Sequence, residues 1–261
     1  MQPHIVIFDS GIGGTTVLEH IQQKYPYAQY SYVMDNLFMP YGRLSVEVLK
    51  QRLHAKLLTI QTLHPTIDII VIACNTASTQ TLEFLRSQTS IPIVGVVPAI
   101  KPAALLSKKG QIGLLATPGT IQNVYTHSLI SEHAQQTKVN LYGSTDLVEL
   151  AEQKFWHGQV DHAKLLAECE KLAITQDNDV LVLGCTHFPI LKDELQAIVG
   201  SAIQLIDSGQ AIANRVESIL QSKHWGKGIK KELVRYYATA PINSNKVSVS
   251  EIKLIDPLSQ N

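Results

Sequence analysis

The chain has 261 residues, 45% of them hydrophobic and 17% charged, which fits a soluble globular protein of one large domain or two of ordinary size. Lys+Arg and Asp+Glu both number 22, so no charge excess points to nucleic acid or to an anionic membrane. The cysteines are too few for a disulfide framework and lack zinc spacing, and no apolar run reaches transmembrane length.

A first strand over 4–8 begins almost at the N-terminus, which leaves no room for a signal peptide. A reducing cytoplasm is the expected compartment, and it keeps thiols usable. The strand runs into Phe8-Asp9-Ser10-Gly11-Ile12-Gly13-Gly14 and then a helix over 14–24. Three glycines let the backbone approach a ligand, and N–H groups at a helix start favour an anion. The G-x-G-x-x-G spacing of a dinucleotide site is not met. Taken alone, the motif is better read as a tight turn capped by Asp9 or Ser10.

A second strand, 29–34, leads to the turn Pro40-Tyr41-Gly42, where Tyr41 is placed to close over a substrate and the Gly42 N–H to donate to it. A helix over 45–63 follows. The third strand, 67–73, ends in Cys74 and runs into a helix over 77–87. Strands at 91–96, 111–115, 138–142, 180–183 and 202–206 then alternate with helices at 98–106, 121–133, 145–155, 161–175, 191–199 and 209–221. This alternation predicts an α/β fold with mainly parallel sheets flanked by helices. Residues 223–231 are basic and turn-rich. Beyond Ile242 the tail is polar and poorly patterned, apart from 247–255.

Two segments echo each other. IIVIACNTAS (69–78) and VLVLGCTHFP (180–189) are both apolar strands that end in a small residue, a cysteine and small polar residues. IFDSG (7–11) and LIDSG (205–209) form a second pair. Ligands in open α/β sheets bind at the carboxyl ends of strands. The repeats therefore predict two pseudo-symmetric lobes around one cleft, with Cys74 on one wall and Cys185 on the other. DSG precedes the cysteine segment in the first half and follows it in the second. The first lobe is accordingly expected over 1–97, completed by 207–261, and the second over 98–206.

Two thiols on opposite walls suit removal of a proton from one face of a carbon and its return to the other. Asn75 and Thr76 follow Cys74, and Thr186 and His187 follow Cys185. Such groups can hold the carboxylate and ammonium of a small substrate. The helix after Thr76 is placed to favour the Cys74 thiolate, and His187 to act as the proton partner of Cys185. Cys169, inside AKLLAECEKLA, reads as an inert core residue. Among the other histidines, His54 and His64 lie on or near a helix, and His157 and His162 read as solvated.

FDSGIGG (8–14), PYG (40–42), ACNTAS (73–78), LATPGT (115–120) and GCTHFP (184–189), in this order, resemble the glutamate racemases of the aspartate/glutamate racemase superfamily. The resemblance runs from about Ile5 to about Leu220, and the tail after His224 matches no pattern in it. It implies cofactor-independent interconversion of L- and D-glutamate, supplying D-glutamate for peptidoglycan, with no metal. It implies Cys74 and Cys185 as the two acid/base residues. Asp9, Ser10, Tyr41, Gly42, Asn75, Thr76, Thr120, Thr186 and His187 would line the substrate site. Asp9, His187 and, on a looser match, Glu152 would assist the thiols. A homodimer is one possibility that the sequence does not fix. Aspartate and hydantoin racemases share the two-cysteine design. A thiol hydrolase using only Cys185 and His187 would leave Cys74 unexplained, and a two-lobed binding protein would need neither thiol.

Overall fold

The computed structural model describes residues 2–221, 225, 234–244 and 252–255. Among the described residues, ten strands form two sheets in which every ladder is parallel. The first sheet holds β1 (His4–Asp9), β2 (Gln29–Met34), β3 (Ile69–Ile72), β4 (Ile93–Gly95), β9 (Val234–Ala238) and β10 (Ile252–Leu254), in the order β10-β9-β2-β1-β3-β4. The second holds β5 (Gln111–Ala116), β6 (Lys138–Gly143), β7 (Val180–Leu183) and β8 (Gln204–Ile206), in the order β6-β5-β7-β8. The helices are α1 (Thr15–Lys24), α2 (Val46–Leu63), α3 (Asn75–Ser87), α4 (Ile100–Leu106), α5 (Pro118–Ile121), α6 (Val124–His133), α7 (Asp146–His157), α8 (His162–Leu172), α9 (Lys192–Val199) and α10 (Gly209–Leu220). None among the described residues is long and apolar enough to cross a membrane.

Parallel strands covered on both faces must be apolar throughout, and β1, β3 and β7 are buried along their whole length. Alternation then sorts the side chains. Ile5, Ile7, Tyr32 and Val71 face Val17, Leu18 and Ile21 of α1 and Ala213 and Val216 of α10. Val6, Phe8, Ile70 and Ile72 face Leu49, Leu53 and Leu57 of α2 and Leu85 of α3. The two chain crossings between the sheets are tied where the Ser208 hydroxyl donates to the Val97 carbonyl at 2.6 Å.

Some elements differ from the sequence reading. The helix expected over 121–133 is two, because Asn123 caps a new start by accepting from the Tyr125 N–H at 2.7 Å. The helix expected over 161–175 stops at Leu172, where Ala173 turns left-handed at φ 48°. β9 was not anticipated; its mixed VRYYA sequence carries no strong period, and pairing with β2 makes it a strand. The patterned stretch 247–255 supplies β10 at its end, and its earlier residues lie outside the described ones. The basic stretch 223–231 lies outside them too, Trp225 excepted.

The connection after β2 is held from below. Asp35 is fully buried and accepts a bidentate pair from Arg52 of α2, at 2.6 and 3.0 Å, and a third bond from the Tyr41 hydroxyl at 2.7 Å. The Arg52 guanidinium also lies over the Phe38 ring, 3.8 Å from its centroid. Breaking a buried pair on one side leaves the other charge without compensation. Arg52→Ala should lower stability by roughly 3–5 kcal/mol, read as a lower urea midpoint. An unchanged midpoint would show that the pair contributes nothing.

At the amino end of the first sheet, Ser31 bridges two buried histidines. Its Oγ lies 3.0 Å from His4 Nε2 and 3.1 Å from His64 Nε2. His4 Nδ1 donates to the Thr66 carbonyl at 2.9 Å, so its Nε2 accepts from Ser31 while His64 Nε2–H donates to Ser31. Burial holds the pKa of both rings down, His64 at about 4, and Arg235 on β9 adds to this; Asp68 and the Thr66 carbonyl oppose it at His4. An unfolded chain takes up these protons near pH 6.5, whereas the folded one refuses them. Stability should therefore fall as pH drops from about 6.5 toward about 4. Urea melts across that range should show a flatter dependence for His64→Gln; parallel curves for the two proteins would exclude the effect.

Candidate active site

The site forms where the carboxyl ends of the two sheets meet. β1 delivers Asp9 and Ser10, and β3 delivers Cys74 at the cap of α3. From the other sheet, β5 runs into Thr117 and α5 with Thr120, and β7 into Cys185, Thr186 and His187. All of these side chains are buried. The expected residues are thus brought together by two strand-to-loop transitions from each sheet.

The surroundings of the two thiols differ. Cys74 Sγ lies 3.9 Å from Ser10 Oγ. Burial pushes its pKa well above the ordinary thiol value, and the nearby Asp9 carboxylate and Cys185 push the same way, against the Ala77 N–H and the Ser10 hydroxyl. Cys185 Sγ lies 3.8 Å from His187 Nδ1. The opposite ring nitrogen, Nε2, lies 2.8 Å from Glu152 Oε1. Burial alone would lower the His187 pKa, but Cys185 and Glu152 together raise it well above its ordinary value. Glu152 would be raised by burial, yet His187, the Ile12 N–H and the Trp156 indole N–H bring it down. Its Oε1 accepts from Ile12 N at 2.7 Å and its Oε2 from Trp156 Nε1 at 2.6 Å.

Asp9 does not bond Cys74 directly. Its Oδ1 accepts from Gly11 N at 3.0 Å and Ser10 Oγ at 3.3 Å, and its Oδ2 from the Thr186 hydroxyl at 2.9 Å. Asp9 therefore reaches Cys74 through Ser10 and also spans to the other wall. Burial raises its pKa, while His187, Gly11 and Thr186 oppose the rise.

The glycines of the first motif answer to protein side chains. A Cβ at Gly11 would collide with Glu152 Oε1 and Met39, and one at Gly13 with the His187 ring. The loop's open backbone thus admits the His187–Glu152 pair from the other half.

Asn75 Oδ1 is buried without a hydrogen-bond partner among the described residues. Thr76, Thr117 and Thr120 bring three hydroxyls together, with Oγ1 separations of 2.8, 3.2 and 3.3 Å. A Cβ at Gly42 would press on Thr117, so the PYG turn closes directly over this cluster. The Tyr41 hydroxyl is committed to Asp35, and the residue is 1% exposed. Its hydroxyl is a strut for the turn.

Sequence reasoning missed Thr117 and Trp156. Thr117 sits just before Pro118 at the start of α5, a position that favours a hydroxyl cap. Trp156 stands four residues after Glu152, the spacing that stacks side chains on one helix face.

The chain is similar to several known proteins. The family model described as Asp/Glu/Hydantoin racemase matches residues 14–216. A glutamate racemase of Shewanella sp. (strain MR-4) is 46% identical over 256 residues, covering 95% of this chain and 93% of that protein. One of Vibrio vulnificus (strain YJ016) is 49% identical over 219 residues, covering 84% and 82%. The crystal structure of Escherichia coli glutamate racemase with L-glutamate and the activator UDP-MurNAc-Ala is similar at TM-score 0.84 and 39% identity, over 92% of this chain and 90% of that one. The Francisella tularensis glutamate racemase solved with D-glutamate gives TM-score 0.73 at 26% identity, over 92% and 89%. With two sheet edges facing one another, a thiol on each, and a family match across more than half its length, the chain belongs to the Asp/Glu/Hydantoin racemase family.

Proposed function

We propose that this protein interconverts L- and D-glutamate in the cytoplasm, without a cofactor, and so supplies D-glutamate for peptidoglycan. The substrate would bind between two lobes, 1–97 with 207–261 and 98–206. The observation that carries the reading is the pair of buried thiols on strand ends of two facing sheets, one beside the Ser10 hydroxyl and the other beside the His187 ring. Relatives solved with L-glutamate and with D-glutamate support the substrate.

The α-proton of an amino acid is a weak acid, so base and acid must act on opposite faces with little solvent between them. His187 Nδ1 faces Cys185 as its proton partner, while burial and Asp9 favour the thiol form of Cys74. Cys185 removes the α-proton of one enantiomer, and Cys74 delivers its proton to the other face. The opposite enantiomer meets the roles exchanged, with the site starting from the other protonation state. Negative charge developing on the α-carboxylate calls for oriented donors, which the loops at Ser10, Asn75 and Thr186 are placed to supply. Asp9 is placed for the ammonium, and the hydroxyls of Thr76, Thr117 and Thr120 for the second carboxylate. Acid–base catalysis of this kind contributes about 10²–10⁴-fold, and positioning in a closed site supplies the rest.

Incubation with either enantiomer of glutamate, followed by chiral chromatography, should give a racemic mixture. Aspartate in place of glutamate should react far more slowly. Cys74→Ala and Cys185→Ala should each reduce racemisation by at least about 10²-fold, whereas Cys169→Ala, a buried residue of α8, should cost only stability. In D₂O the product enantiomer should gain α-deuterium early while unreacted substrate stays protiated. Equal early labelling of both, or substantial activity in Cys74→Ala, would overturn the two-base mechanism.

A further inference from the structure

Trp156 belongs to one half of the molecule by sequence and to the other by packing. α7 runs through the stretch between the strands of the second sheet, yet the Trp156 ring is buried in the core beneath the first sheet, with Met34, Ile212 and Val216 in the same cluster. Phe155 packs edge-on against it, with ring centroids 4.9 Å apart. The ring is 6% exposed, and its single donor, Nε1–H, points at Glu152 Oε2 over 2.6 Å.

The Glu152 carboxylate is shared among three donors. Ile12 N and His187 Nε2 converge on Oε1, and Trp156 takes Oε2. Without the indole, Oε2 would open onto a pocket of about 420 Å³ lined by Glu152, Gln153, Trp156, Met39 and Ile242. Water there would compete for the carboxylate, and the group would be free to pivot about its one remaining anchored oxygen. Charge-assisted bonds of this length also fix geometry, and Trp156 is buried in the cluster of the first sheet.

We propose that Trp156 is a positioning residue for proton transfer at Cys185: from its seat in the first sheet's core, its indole N–H fixes Glu152 so that Oε1 faces His187, and His187 in turn faces Cys185. The chain of contacts makes the alignment of one thiol's proton partner depend on the seating of the two halves against each other. This inference rests on the two-thiol reading above.

The test compares Trp156→Phe, which keeps an aromatic ring and removes the donor, with wild type, Glu152→Gln and the double variant. Loss of the donor should lower kcat on the order of tenfold, the rate equivalent of one charge-assisted hydrogen bond, with KM for glutamate within about twofold because the indole touches no substrate group. The alkaline limb of kcat/KM, which reports the proton held by the coupled Cys185–His187 pair, should move to lower pH, since a loosened carboxylate supports the imidazolium less. In the Glu152→Gln background the same substitution should cost little more, because its effect passes through that carboxylate. If Trp156→Phe does not fold, benzothienylalanine at 156, which exchanges only the N–H for sulfur, carries the same comparison. Unchanged kcat and limb, or a loss that leaves the limb in place and adds fully to that of Glu152→Gln, overturns the role of Trp156. If His187→Asn also turns over like wild type, the two-thiol reading of His187 fails, and this inference with it. A crippled His187→Asn beside an unaffected Trp156→Phe overturns only the inference.

Discussion

The structure depends on one close approach: the turn from Asp9 to Gly14 in the first sheet against His187 and Glu152 from the second. Two buried ionisable groups, Asp9 and His187, meet there with the partly buried Glu152, and burying such groups unpaired is costly. Asp9 is satisfied by Gly11, Ser10 and Thr186; Glu152 by Ile12, Trp156 and His187. The Thr16 hydroxyl, 3.1 Å from the Thr186 carbonyl, adds a further tie across the same seam. Only a glycine backbone leaves room for this arrangement, because side chains at 11 and 13 would occupy the volume of Glu152 and His187. The contact that joins the halves is therefore the one that sets the charges of the site.

The pseudo-symmetry of the halves is structural, and their electrostatics break it. Asp9 Oδ1 accepts from Gly11 N at 3.0 Å, and Asp207 Oδ1 accepts from Gly209 N at 2.8 Å, so the two DSG turns share one geometry. Their serines part ways. Ser10 turns to Cys74, whereas Ser208 ties the crossing at Val97. One thiol thus meets the Ser10 hydroxyl and the nearby Asp9, and the other meets the His187 ring backed by Glu152. Two similar strand ends thus place their thiols in unequal surroundings.

The sequence by itself determined the α/β class, two-sheet organisation and most elements, because parallel strands covered on both faces are written as apolar runs and helices as 3.6-residue stripes. It also marked Cys74, Cys185, Asn75, Thr186 and His187, since these stand at strand ends within the repeats. The tertiary structure alone decided what each polar group touches. That Asp9 reaches Thr186, that the Tyr41 hydroxyl serves Asp35, that Thr117 completes a three-hydroxyl cluster and that Trp156 crosses into the other core are contacts between residues distant in the chain. β9 was hidden for the same reason: VRYYA becomes a strand by pairing with β2, two hundred residues earlier in rough terms, and no local period encodes a partner at that separation.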